Sequence, residues 1–143
     1  MFRLSVRGAQ LDACIRHKAF AVTKKYDFAP GEKLILQVAK NDCPPGERVR
    51  YALVFDNYVH DTDGSICGEY WPEAAGHGQR WEWVVRASDV IEAITPFSLQ
   101  DPDLKLSKSY ENQNPANRIA PVDADRIWAR FESSTPSLQE VAA

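Results

Sequence analysis

Trp81 and Trp83 stand two residues apart, and a strand through them would turn both indoles to one face. Tyr70 and Trp71 lie just upstream, and Tyr58 sits on the arm before that. Aromatic walls stack planar bases, each worth about 1–3 kcal/mol. The commoner use of Trp and Tyr is core packing, and one of Trp81 and Trp83 can serve each purpose. Phosphates would be met by Arg3, Arg7, Arg16, Lys18, Lys24 and Lys25, with Lys40 beside them. Residues 1–50 carry ten Lys and Arg against five Asp and Glu, whereas residues 51–100 carry two against eight. A net charge of −3 therefore hides a polarity that can put a basic face on an acidic protein.

Other chemistries find less support. Cys14 and His17 form a C-x-x-H that a helix would turn to one face, but zinc needs two further ligands. Cys43, His60, Cys67 and His77 are scattered singly, so no metal is expected. Asp61-Thr62-Asp63-Gly64 resembles part of a calcium loop. With Gly64 at the sixth position, however, Val59 and Tyr70 fall where carboxylates are required. The chain contains no G-x-S-x-G, no P-loop and no dinucleotide fingerprint. Glu69, Glu73 and Glu82 surround the aromatics and read first as a solvated acidic rim, although carboxylates so placed could do acid–base work. No catalytic residue and no cofactor is expected.

A chain of 143 residues, 44% apolar and 26% charged, has the size and balance of one globular domain. No stretch approaches the 18 or so apolar residues of a membrane span. Met1 to Arg7 lacks the apolar run of a signal peptide, and three dispersed cysteines suit a reducing compartment. These features predict a cytoplasmic protein.

The elements follow from pattern. Phe2 to Arg7 alternates as a half-buried strand, and Ala9 to Lys18 suits a short helix. Ala19 to Val22 starts another strand or a loop. Pro30-Gly31 turns into the apolar run Leu34 to Ala39, a central strand. Val49 to Val59 is the next strand, with Tyr51, Leu53 and Phe55 on one face and Ala52 and Val54 on the other. Asp63-Gly64 marks a tight hairpin whose return would be Ile66 to Trp71. Trp81 to Arg86 is a strand that continues past a bulge through Val90 to Ile94. A polar stretch around Asn112-Gln113-Asn114-Pro115 precedes a final helix capped by Asp123, with Ile127, Trp128 and Phe131 on one stripe. Residues 1–132 form one domain and 133–143 a Ser/Thr/Pro-rich tail. The expected fold is α+β: a mostly antiparallel curled sheet or small β-barrel with short peripheral helices.

The order of these elements resembles the PUA-like superfamily, and within it the EVE domain, related to the YTH and SRA readers of modified bases. The resemblance spans about Phe2 to Phe131. It rests on the first strand and helix, on Pro30-Gly31-Glu32-Lys33-Leu34-Ile35-Leu36, on Thr95-Pro96-Phe97-Ser98-Leu99 and on Asn117-Arg118-Ile119-Ala120-Pro121-Val122. Two departures stand out: Tyr51-Ala52-Leu53-Val54-Phe55 has no glycine, and the insert from Asp61 to Arg80 is long and acidic.

The resemblance implies a non-catalytic reader that takes a modified, cytosine-type base into a concave pocket. Lys40 and Asn41 would form its polar lining, and Trp71, Trp81 and Tyr58 its aromatic walls. Its partners would be DNA or RNA and an associated nuclease or modification protein. Two alternatives differ in class. One is an amidohydrolase resembling ASCH proteins, with Thr23, Lys24 and Glu69 at the site. The other is a protein-interaction module using exposed Trp as hot spots.

Overall fold

The computed structural model describes residues 1–76, 81–112 and 114–133. Six strands form one sheet: β1 (Phe2–Val6), β2 (Ala19–Val22), β3 (Lys33–Val38), β4 (Val49–His60), β5 (Trp83–Phe97) and β6 (Ala116–Arg118). Their order is β2-β5-β4-β3-β1-β6. The β1–β3 pair is parallel and every other neighbouring pair is antiparallel. Among the described residues four short α-helices surround the sheet: α1 (Gly8–His17), α2 (Ser65–Tyr70), α3 (Pro72–Gly76) and α4 (Pro121–Phe131). The fold is thus the expected α+β curled sheet. It stops short of a barrel, since β2 and β6 end the sheet unpaired to each other.

The central position of β3 explains its composition. Leu34, Leu36 and Val38 face the concave side, and Ile35 faces the convex one. A strand covered on both faces reads as a continuous apolar run. The concave core gathers Leu4, Val6, Phe20, Val22, Leu53, Phe55 and Val85 beneath α1 and Trp71. The convex core packs Val49, Ala52 and Phe97 against Ile127 and Phe131 of α4. On β4 the expected alternation holds from Tyr51 to Phe55, where Leu53 and Phe55 join the concave core and Ala52 the convex one. A bulge between Val49 and Tyr51 then puts Val49 on the Ala52 side.

Two local expectations are corrected. Ile66 to Trp71 is not the return strand of a hairpin; it is α2 and the residue after it. The Asp61 carboxylate accepts from the backbone N–H of Ile66 (3.1 Å) and Cys67 (2.9 Å), and Gly64 turns the chain with φ at 77°. The true partner of β4 is β5, paired from His60–Trp83 onward. Nor does Asp123 cap α4. Ala120 holds the cap position without a side-chain bond, and Pro121 starts the helix. Fully buried Asp123 instead accepts from the Ser107 backbone N–H (2.8 Å) and hydroxyl (2.6 Å) and from the Tyr110 hydroxyl (2.6 Å). It locks the segment before β6 onto α4. Residues 134–143 of the expected tail, together with His77 and Gln113, lie outside the described residues.

Candidate functional site

β1 and β2 follow one another in the chain, yet four strand spacings separate them in the sheet. Laid flat, that is about 19 Å. The curl brings them to one cavity of about 250 Å³, with Ser5 and Arg7 on one side and Phe20, Ala21, Val22 and Thr23 on the other. Gln10 and Cys14 of α1, Pro115, Trp71 and Trp81 complete the lining. The cavity therefore lies where the sheet fails to close.

Edge strands present unpaired main-chain groups. The Lys18 carbonyl accepts from the Ala87 N–H (2.9 Å), so ladder alternation points the main chain of Phe20 and Val22 at β5. Ala21 then offers its N–H and carbonyl along the open edge. Across the cavity the Ser5 N–H donates to the Pro115 carbonyl (2.9 Å). A proline has no N–H, so Pro115 cannot return the bond to the Ser5 carbonyl. Main-chain donors and acceptors thus join the polar residues Arg7, Gln10 and Thr23 around an aromatic hollow, the setting in which a flat heterocycle gains both stacking and edge hydrogen bonds.

The two tryptophans differ in role. Trp71 is only 4% exposed and follows α2, its N–H bonded to the Cys67 carbonyl (2.8 Å). Its side chain also hydrogen-bonds the Cys14 thiol; burial pushes that thiol up to about 12, with the Trp71 contact opposing the rise only in part. A thiol so placed is no nucleophile at neutral pH. Trp81 is half-buried and meets Trp71 edge to face, with centroids 6.0 Å apart. Trp81 precedes β5, so strand alternation does not tie it to Trp83. Trp83 goes elsewhere, stacked on His60 at 4.2 Å.

The expected site residues thus separate into groups. Trp71, Trp81 and Arg7 meet at the cavity, and Thr23 joins them from the enzyme alternative. Tyr58 does not: its hydroxyl accepts from the Tyr26 N–H (2.7 Å) and donates to the Tyr26 carbonyl (2.8 Å). Burial pushes the Tyr58 hydroxyl up to about 12. Lys25 lies over Tyr58 and Trp83, at 5.6 and 4.9 Å from their ring centres, and Lys24 lies over Tyr26 at 5.1 Å. Both lysines are exposed and follow Thr23 in the chain, with their ammonium groups over rings that do not line the cavity. Lys40 and Asn41 are exposed in the turn after β3 and do not line the cavity.

Among the remaining cations, Arg16 pairs on the surface with Asp12 (3.1 Å), and Lys18 is exposed in a left-handed conformation at the end of α1. His17 stacks on Tyr70 at 4.0 Å, away from Cys14's buried position. Glu69 is exposed on α2.

Arg3 requires a correction. It is 1% exposed, so it is no surface phosphate ligand. Its guanidinium donates to the Ser5 hydroxyl (2.8 Å), the Asn114 carbonyl (2.9 Å) and the side chains of Asn112 (3.3 Å) and Asn117. Arg48, also buried, grips Glu111 through both terminal nitrogens at 2.5 and 3.2 Å. That pairing holds the Glu111 carboxyl below its ordinary range, with burial opposing it. Ser5, Gln10 and Pro115 were not expected at the site. Nothing in their local pattern marks them, because they become neighbours only through the curl.

No family model matches the chain, and no curated protein matches it in sequence. Among solved structures it is similar to ZmASCH from Zymomonas mobilis, crystallised as a tyrosine-to-phenylalanine mutant. The TM-score is 0.62 over 90% of this chain and 96% of that chain, at 9% sequence identity. The fold is PUA-like. The likeness is one of fold: the α+β curled sheet expected from the sequence is similar to that of an ASCH protein. No helix among the described residues is long and apolar enough to cross a membrane.

Proposed function

We propose that the protein is a non-catalytic nucleic-acid-binding module of the EVE type, which takes one modified, cytosine-type base into the cavity between β1 and β2. The observation that carries this reading is the meeting of Trp71 and Trp81 with main-chain groups of the edge strand β2 and of the end of β1 beyond its pairing with β6. A cytosine offers a flat face to stack, a carbonyl to accept and an exocyclic amine to donate. Extrusion of a base costs a few kcal/mol, which stacking and edge bonds must offset. Arg7 at the cavity and Lys24 and Lys25 beyond Thr23 supply cations for the flanking phosphates. A nuclease or modification protein would act on what this module binds, and a cytoplasmic setting suits the role.

The test is titration of Trp fluorescence with short DNA and RNA, with and without methylated or hydroxymethylated cytosine, at low and physiological salt. Quenching with tighter binding to a modified strand is the expected result. Salt-sensitive binding blind to modification would leave a basic face alone.

One observation favours a second reading, an ASCH-like amidohydrolase acting on a modified nucleoside: Thr23 lines the cavity and Lys24 follows it. Turnover of an acylated cytidine, abolished in Thr23→Ala, would establish that reading over the first.

A further inference from the structure

Val22, Trp83 and His60 stand directly opposite one another on the adjacent strands β2, β5 and β4. Residues opposite in a ladder share a face. Val22 belongs to the concave core and to the cavity lining, and Trp83 packs against the same core. The row therefore runs along the concave side. Trp83 stands one strand spacing from Val22 and His60 two, about 5 and 10 Å.

The row ends in a flat surface. The His60 imidazole lies 4.2 Å from the Trp83 indole, with 17° between the planes. That contact covers one face of the imidazole, yet His60 is exposed, so its other face looks to solvent. Lys25 brings a cation to the same place, its ammonium 4.9 Å from the centre of the Trp83 ring. Among the described residues no carboxylate lies within ion-pair distance of Lys25. Asp61, next to His60 in the chain, is buried and spent on the N–H groups of α2. A stacked plate beside an unpaired ammonium suits a base and its phosphate.

Position decides which base. When one base is extruded from a duplex, its neighbours stay paired and their faces stay covered by the stack. A plate set beside the cavity can therefore be used only by a neighbour that is itself unpaired. We propose that the Trp83–His60 pair is a second stacking platform for the nucleotide next to the base in the cavity, with Lys25 on its phosphate, so that the substrate is a single strand of at least two nucleotides. The proposal rests on the base-binding reading above and adds a strand requirement to it.

The experiment is titration of Trp fluorescence with 5-methylcytidine, with a single-stranded trinucleotide holding 5-methylcytidine between two adenosines, and with the same trinucleotide made abasic at both flanks. A hairpin duplex holding the same triplet is the fourth probe. The proteins are wild type, His60→Ala, His60→Phe, which restores a flat ring, and Lys25→Gln. In wild type the flanking adenines are expected to tighten binding about tenfold over the abasic strand. His60→Ala should lose that gain and His60→Phe should keep it, while both bind 5-methylcytidine as wild type does. Lys25→Gln should lower the salt slope of trinucleotide binding by about one phosphate's worth. The duplex should be bound equally by wild type and His60→Ala. An adenine gain that survives His60→Ala, or no gain in wild type, overturns the proposal and leaves base binding standing. Failure of the nucleoside and of every strand to change the fluorescence overturns the base-binding reading and this proposal with it.

Discussion

The Trp81 ring approaches Trp71 at 64° between planes, so the two indoles make a corner rather than parallel jaws. Trp71 is the built-in wall, buried against α1 and tied to Cys14. Trp81 is the half-buried one, free to meet a ligand face. A flat ring entering the cavity would therefore stack on one indole and abut the other.

Truncation should separate these roles. Trp81→Ala is expected to weaken base binding by about 1–3 kcal/mol while the fold survives. Trp71→Ala should instead destabilise the protein by about 3–5 kcal/mol. Chemical denaturation and binding titrations on both variants check this. Equal losses of binding with equal stabilities would contradict the assignment.

Acid should loosen the protein through buried carboxylates. Burial opposes ionisation of Asp61 and Asp123, yet their hydrogen bonds outweigh it and hold both carboxyls below the ordinary range. Asp61 is held by the N–H groups of α2, Asp123 by Ser107 and Tyr110. A depressed folded pKa contributes stability that is fully present above the unfolded value, about 3.9, and is lost as pH falls through the folded one. Thermal stability should thus be flat near neutrality and fall below about pH 4. Asp61→Asn is expected to cost about 1–2 kcal/mol at pH 7 and to flatten that acid limb. An unchanged limb would show that the Asp61 charge contributes nothing.

Cysteine labelling should follow burial. Cys14 and Cys67 are buried, and burial holds the Cys14 thiol near 12. Cys43 is half-buried, its thiol raised chiefly by desolvation. In native protein at pH 8 an alkylating reagent should modify Cys43 first and Cys14 only on unfolding. Mass spectrometry of timed digests reads the order directly, and rapid native labelling of Cys14 would contradict the cavity wall described here.

Salt will separate the cations. Neutralising Lys24 and Lys25 together should reduce the slope of binding against salt concentration by about two phosphates' worth, and Arg7→Gln by about one. Arg16→Gln should matter less, since Asp12 already pairs with it. A slope unmoved by Lys24→Gln/Lys25→Gln would take the phosphate path away from the segment beyond Thr23.

Much of the fold was legible because period and turn chemistry agree with it. The apolar run at Leu34 reads as a doubly covered strand, and Val49 to Val59 alternates as a half-buried one. The errors share a cause. Asp-Gly at Asp63-Gly64 carries a hairpin signal, but the decisive event is Asp61 accepting two N–H groups from residues five and six further on. Asp123 looks like a cap but is the third residue of its helix, in the first turn, spent on Ser107 and Tyr110. In both cases a carboxylate was drawn to a partner that only folding supplies.

Of the site, the residue types were readable and the assembly was not. Composition and pattern by themselves determined a curled α+β sheet, an aromatic set near residues 70–83 and a basic N-terminal third. Only the tertiary structure decided that Trp71 and Trp81 share a cavity while Tyr58 and Trp83 do not. It also buried Arg3 rather than leaving it in solvent. The reason is the curl itself: side-chain period is a property of one strand, whereas this cavity lies between two strands, four positions apart in the sheet, that only the bending of the whole sheet brings together.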